Sequence, residues 1–253
     1  MARDLKTVMT DSVFTAINGY DASTDKLMFN NFGTASTMTR TTDNWMHALV
    51  GSTGISPINS HNVGGVAGSR MGGVLITPRH MIFARHYVLP VNKIVYFYDR
   101  NNVQYSRVIT ANAYHGMGSS GGDYYIAVLD SDLPSEIEPL KVFPPSLYKY
   151  FNPSHLTLAA YSGFEGRFAF SDDLPIIHTD QEEKSIIARA TAIDVGTNGI
   201  AGFDEYPDTY DSGDLGKLHY GTPIDSALQA WNEPLIGGDS GTPHMGLIDD
   251  ELI

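Results

Sequence analysis

The sequence predicts an all-β fold. Short apolar runs rich in β-branched and aromatic residues recur along the chain, Gly, Pro, Asn and Asp separate them, and no long stretch shows amphipathic helical periodicity. At 253 residues the chain is long enough to bury a large core as a single β protein.

Residues 1–45 form an N-terminal extension ahead of the first lobe. Its stretch Asn30 to Asn44 is polar and rich in threonine, which fits an extension packed across the lobes, a pro-segment or a linker. Met1 to Thr10 lacks the apolar core of a signal peptide, so either a signal has been removed or export by that route is not used. Trp45 to Val50 reads as the first strand, with Gly51-Ser52-Thr53-Gly54 turning out of it. Val74-Leu75-Ile76 and Met81-Ile82-Phe83-Ala84 read as two strands joined by Thr77-Pro78-Arg79-His80, whose proline presets a turn and leaves His80 exposed. Further strands are expected at Lys93–Tyr98, in Gly121–Asp130, at Leu156–Tyr161, Lys184–Ile193 and Met245–Ile248. Asp130 and Asp132, before Leu133-Pro134, read as turn residues, and the aromatic residues in the runs as core and cross-strand packing.

Chemistry is concentrated in Ile236-Gly237-Gly238-Asp239-Ser240-Gly241-Thr242-Pro243-His244. Small residues on both sides of Ser240 allow a substrate carbonyl to approach the backbone, and the amides of Gly238 and Ser240 can converge on one developing oxyanion. Alone, Gly-Asp-Ser-Gly is equally a tight turn. Asp211-Ser212-Gly213-Asp214 has the same residue types but lies in an acidic stretch without a flanking apolar run, and reads as a solvated loop. A serine nucleophile needs a base. His86 is the candidate, because it follows the strand Met81–Ala84 directly and that strand anchors its backbone. His244 is tempting as a second base, but its place on the strand leaving the turn makes a structural role simpler.

The stretch Gly73–His86 resembles the strand, turn, strand and histidine of trypsin/chymotrypsin-like serine peptidases, and the order of histidine first and Gly-Asp-Ser-Gly last matches too. The resemblance implies two perpendicular antiparallel β-barrels, the first lobe over residues 46–145 and the second over 146–253. It implies a serine endopeptidase acting on polypeptide substrates, with no cofactor, and by family habit an extracellular setting. It also implies a carboxylate heading a buried strand between the two motifs. Asp123 of Gly121-Gly122-Asp123-Tyr124-Tyr125-Ile126 falls in place when read without a gap, whereas aligning the aliphatic residues puts Tyr125 there; strand alternation favours Asp123. Ser240 then attacks, His86 carries the proton, Asp123 supports the imidazolium, and the Gly238 and Ser240 amides hold the oxyanion. Pro234, with Leu235 after it, stands where the family has the base of its specificity pocket. No acid is there, so a preference for Lys or Arg is not expected. Only thirteen residues follow Ser240, so the second barrel is expected to be cut short at its C-terminus. A protease-fold protein that binds without cutting, and an esterase using the same three residues, are the other readings.

A net charge of −13 from 16 basic and 29 acidic residues argues against nucleic acid or an anionic membrane as partner. Cysteine is absent, so no disulfide staples the fold. The histidines show no His-x-x-x-His spacing, so no metal site is expected, and Asp204, Glu205, Asp208, Asp211 and Asp214 read as a solvated acidic loop rather than a calcium site. Oligomeric state is not legible.

Overall fold

In the computed structural model the described residues are 5–30, 37–57, 73–84, 89–113, 124–142, 168–170, 174–179, 184–195, 218–221, 223, 225–234 and 243–253. They are mostly β and pair antiparallel throughout the named strands.

The first body of structure is a six-stranded sheet. Its strands, in chain order, are β3 (Ile55–Ser56), β4 (Gly73–Thr77), β5 (His80–Ala84), β6 (Ile94–Tyr98), β7 (Gln104–Ala113) and β8 (Tyr124–Leu129), following a small pair β1 (Phe29–Asn30) and β2 (Thr39–Arg40). Spatial order is β3-β4-β5-β8-β7-β6. The period-two alternation expected of these runs is present: Leu75, Met81, Phe83, Val95, Phe97, Ile109, Ala127 and Leu129 all face one interior, capped by Leu89, Leu133 and Ile137. The sheet curls until its edges meet, with the Ser56 hydroxyl donating to the Tyr96 carbonyl at 2.8 Å, so the strands form a nearly closed barrel.

The second group is a five-stranded arrangement of β9 (Phe168–Phe170), β10 (Leu174–Thr179), β11 (Ser185–Val195), β12 (Leu218–Gly221) and β13 (His244–Met245), ordered β12-β11-β10-β13 with β9 also on β11. A final hairpin of β14 (Leu247–Ile248) and β15 (Glu251–Leu252) turns at Asp249, whose φ of 55° is left-handed. A second core lies between the two sheets, built from Ile55 and Tyr98 of the barrel, Ile177, Ile187 and Met245 of the second sheet, and Met28, Phe29, Trp45, Leu247 and Leu252 from the chain's two ends.

Three expectations about secondary-structure elements are corrected. Residues 45–49 are turns rather than a strand; Trp45 is buried edge-on against Trp231, and Gly51–Gly54 leads through a short 3-10 helix (Ser52–Gly54) into β3. A β-carbon on Gly54 would collide with the Glu138 carbonyl, which is why a glycine stands there. Second, the expected absence of helical periodicity misses α1 (Leu5–Ile17), whose Leu5, Met9, Val13 and Ile17 recur every fourth residue and are buried. That single stripe is narrow; packing on β10 and β14 holds the helix, helped by the Asp249 amide donating to the buried Ser12 hydroxyl at 2.8 Å. Third, Met245–Ile248 is not one strand but two, divided at Gly246, whose amide and carbonyl both bond to Ile253 at 2.8 and 3.0 Å.

The strands expected at Val74–Ile76, Met81–Ala84, Lys93–Tyr98 and Lys184–Ile193 are present as β4, β5, β6 and β11. His80 opens β5 and is half-buried rather than exposed in the turn. Leu156–Tyr161 and the acidic stretch 203–214 lie outside the described residues. Among the described residues no helix is long and apolar enough to cross a membrane.

Candidate functional site

Of the site residues expected from the sequence, His86, Asp123, Leu235, Gly238 and Ser240 lie outside the described residues, and Pro234 is described and exposed.

The β4–β5 hairpin is built on Thr77. Its hydroxyl accepts from the amides of Arg79 at 3.2 Å and His80 at 3.0 Å, closing the turn around Pro78, and lies 2.8 Å from His80 Nδ1. Arg79 extends from the turn to the far end of β8, where Nε donates to the Leu129 carbonyl at 2.9 Å. From this turn β5 runs inward alongside β8 in continuous register, His80 opposite Val128 and Ala84 opposite Tyr124. Ala84 is two residues before His86 and Tyr124 one residue after Asp123, so the backbone positions leading to both are cross-strand neighbours. Phe83 and Tyr125, the preceding register pair, stack with ring centres 5.8 Å apart. Leu89 is fully buried, and its carbonyl accepts from Asn112 Nδ2 at 2.9 Å.

The segment leading toward Ser240 starts at α2 (Ser226–Gln229), capped by the Asp225 carboxylate accepting from the Ala227 amide at 2.9 Å. Trp231 then inserts into the intersheet core, and its carbonyl accepts from the Ile187 amide at 3.1 Å. Glu233 bridges Lys26 and Lys184 at 3.0 Å each. Burial opposes ionisation of this carboxyl, but hydrogen bonds and charge from the two lysines outweigh it and hold its pKa below the ordinary value. Beyond residues 235–242, Pro243 is buried and β13 docks on β10, pairing His178 with His244 and Ile177 with Met245.

His178 is buried and its ring lies 5.7 Å from that of His244. Desolvation first, and His178 second, push the His244 pKa down to about 4; solvent contact at residue 244 screens part of that effect. Sequence reasoning did not single out His178, and no local signal could have, because its partner comes from a distant strand. Farther off, His47 is held below its usual pKa by burial and then by Arg40 and Arg100. Those arginines belong to a structural network in which Arg100 forks onto Glu138 at 3.0 and 2.7 Å and buried Arg40 lies over the Phe29 ring.

No group of three or more His, Cys, Asp or Glu able to hold a metal occurs among the described residues. No family model and no curated protein matches the chain. Among solved structures it is similar to human heparin binding protein, at 13% identity and a TM-score of 0.38, over 78% of this chain and 75% of that one.

Proposed function

We propose that this chain is a serine endopeptidase whose catalytic residues are Ser240, His86 and Asp123, on a fold of two perpendicular barrels with lobes at 46–145 and 146–253. The observation that carries this reading is the β5–β8 register, in which Ala84, two residues before His86, lies opposite Tyr124, one residue after Asp123. Tyr125, Ala127 and Leu129 share the interior face of β8; the choice of Asp123 rests on the alternation of the sequence alone.

In this mechanism Ser240 Oγ forms a bond to the scissile carbonyl carbon while His86 takes the hydroxyl proton. The Gly238 and Ser240 amides stabilise the oxyanion, and His86 returns the proton to the leaving amine as the carbon–nitrogen bond breaks. Water then repeats the sequence on the acyl-enzyme and regenerates Ser240. Asp123 orients the imidazole and stabilises its charged form. Pro234 and Leu235 contribute an uncharged pocket, suited to small or apolar side chains.

A serine-directed fluorophosphonate tests the reading. Mass mapping should find the adduct on Ser240 in the wild-type protein and nothing in Ser240→Ala. A wild-type protein that stays unlabelled would leave the non-cutting binding protein as the better reading. Labelling with turnover of short esters but not peptide amides would select the esterase.

A further inference from the structure

Antiparallel pairing sets His178 of β10 directly opposite His244 of β13, and opposite residues of such a pair project from one face of the sheet. The imidazole centres are 5.7 Å apart and the rings are tilted by 38°. Two imidazole nitrogens on one ion at about 2.0–2.1 Å each set the ring centres roughly 5 to 6 Å apart. The rings therefore already stand at a chelating separation.

The geometry points to a divalent transition-metal site, suited to Zn²⁺ or Cu²⁺, formed by His178 and His244. The neighbouring register pair Ile177 and Met245 is fully or almost fully buried, so the two backbones are held in place and little ordering is needed to bring the ligands together. His178 is fully buried while residue 244 meets solvent, so the ion enters from the His244 side and keeps water there. Imidazole ligands favour zinc, copper and nickel over calcium or magnesium, which take oxygen. No third His, Cys, Asp or Glu joins the pair among the described residues. The site stands independently of the peptidase reading.

Isothermal titration of the full chain with Zn²⁺ near neutral pH, in a non-chelating buffer, tests it. Wild-type protein should take up one ion. His244→Gln, at a solvent-contacting position, should keep the wild-type melting temperature and bind at least about ten-fold more weakly, the smallest loss expected even for a partner behind a ligand. In the wild type, the ring-proton resonances of His178 and His244 should shift together with Zn²⁺. Equal affinity in His244→Gln, or no uptake by wild type at millimolar Zn²⁺, overturns the assignment, as does a Zn²⁺ shift confined to other histidines.

Discussion

Phe83 and Tyr125 stack across the β5–β8 pair with 11° between their planes, directly behind the last register pair, Ala84 and Tyr124. Phe83 is 2% exposed, so the stack closes the barrel interior at the end where the chain leads to His86 and Asp123. Tyr125→Ala should cost about 2–3 kcal/mol, from lost packing and the space left beside Phe83. Tyr125→Phe should keep the stack. Urea unfolding measures both, and an alanine variant as stable as wild type would remove this pair from the framework of the site.

Residues acting as one catalytic unit have a distinct kinetic signature. On a peptide substrate, with little change in KM, His86→Ala should lower kcat by about 10⁶-fold and Asp123→Asn by about 10⁴-fold. Tyr125→Phe should leave kcat nearly intact. The reverse pattern, with Asp123→Asn active and Tyr125→Phe inactive, would transfer the supporting role to Tyr125.

Glu233 ties the N-terminal segment to β11 through Lys26 and Lys184, 3.0 Å from each. Its folded pKa lies below the ordinary value of 4.5 despite the opposing effect of burial, so the unfolded chain takes up its proton first as the medium is acidified. The stabilisation is complete above the unfolded pKa and disappears as pH falls through the lower folded one. Glu233→Gln should therefore cost about 1 kcal/mol at neutral pH and weaken the loss of stability in acid. Melting curves across the acid range check this, and an unchanged acid limb in the variant would show that Glu233 does not contribute.

Leu252 is fully buried in the intersheet core, and its amide donates to the Val50 carbonyl at 3.0 Å. Leu252→Ala should cost about 2–5 kcal/mol, far more than a substitution on a frayed terminus. Denaturant unfolding with less than about 0.5 kcal/mol of loss, the range of ordinary surface changes, would contradict a packed hairpin.

The barrel strands β4, β5 and β6 were legible because each alternates over several residues, and one interior face satisfies all of them. The hairpin turn at Thr77–His80 was legible for a local reason, a proline beside a hydroxyl that accepts two amides. Strand β10 was not foreseen. A proline second in the run argues against a central strand, yet Pro175 lies opposite Arg189 in a strand whose six residues are all buried. Helix α1 escaped because threonine, serine and aspartate interrupt its apolar residues, and the surfaces that stabilise it belong to β10 and β14.

The sequence by itself determined the mostly β character, the barrel strands β4, β5 and β6 and the residues proposed for acyl transfer, because alternation, turn chemistry and a Gly-Asp-Ser-Gly context are local properties of the chain; the longest barrel strand, β7, was not among them. Tertiary structure decided what depends on distant partners. It made Ala84 and Tyr124 neighbours, folded residues 247–252 into the core with Trp45 and Phe29, and set His178 against His244. A histidine spacing rule cannot detect that last pair, because strand register rather than sequence separation determines which side chains meet.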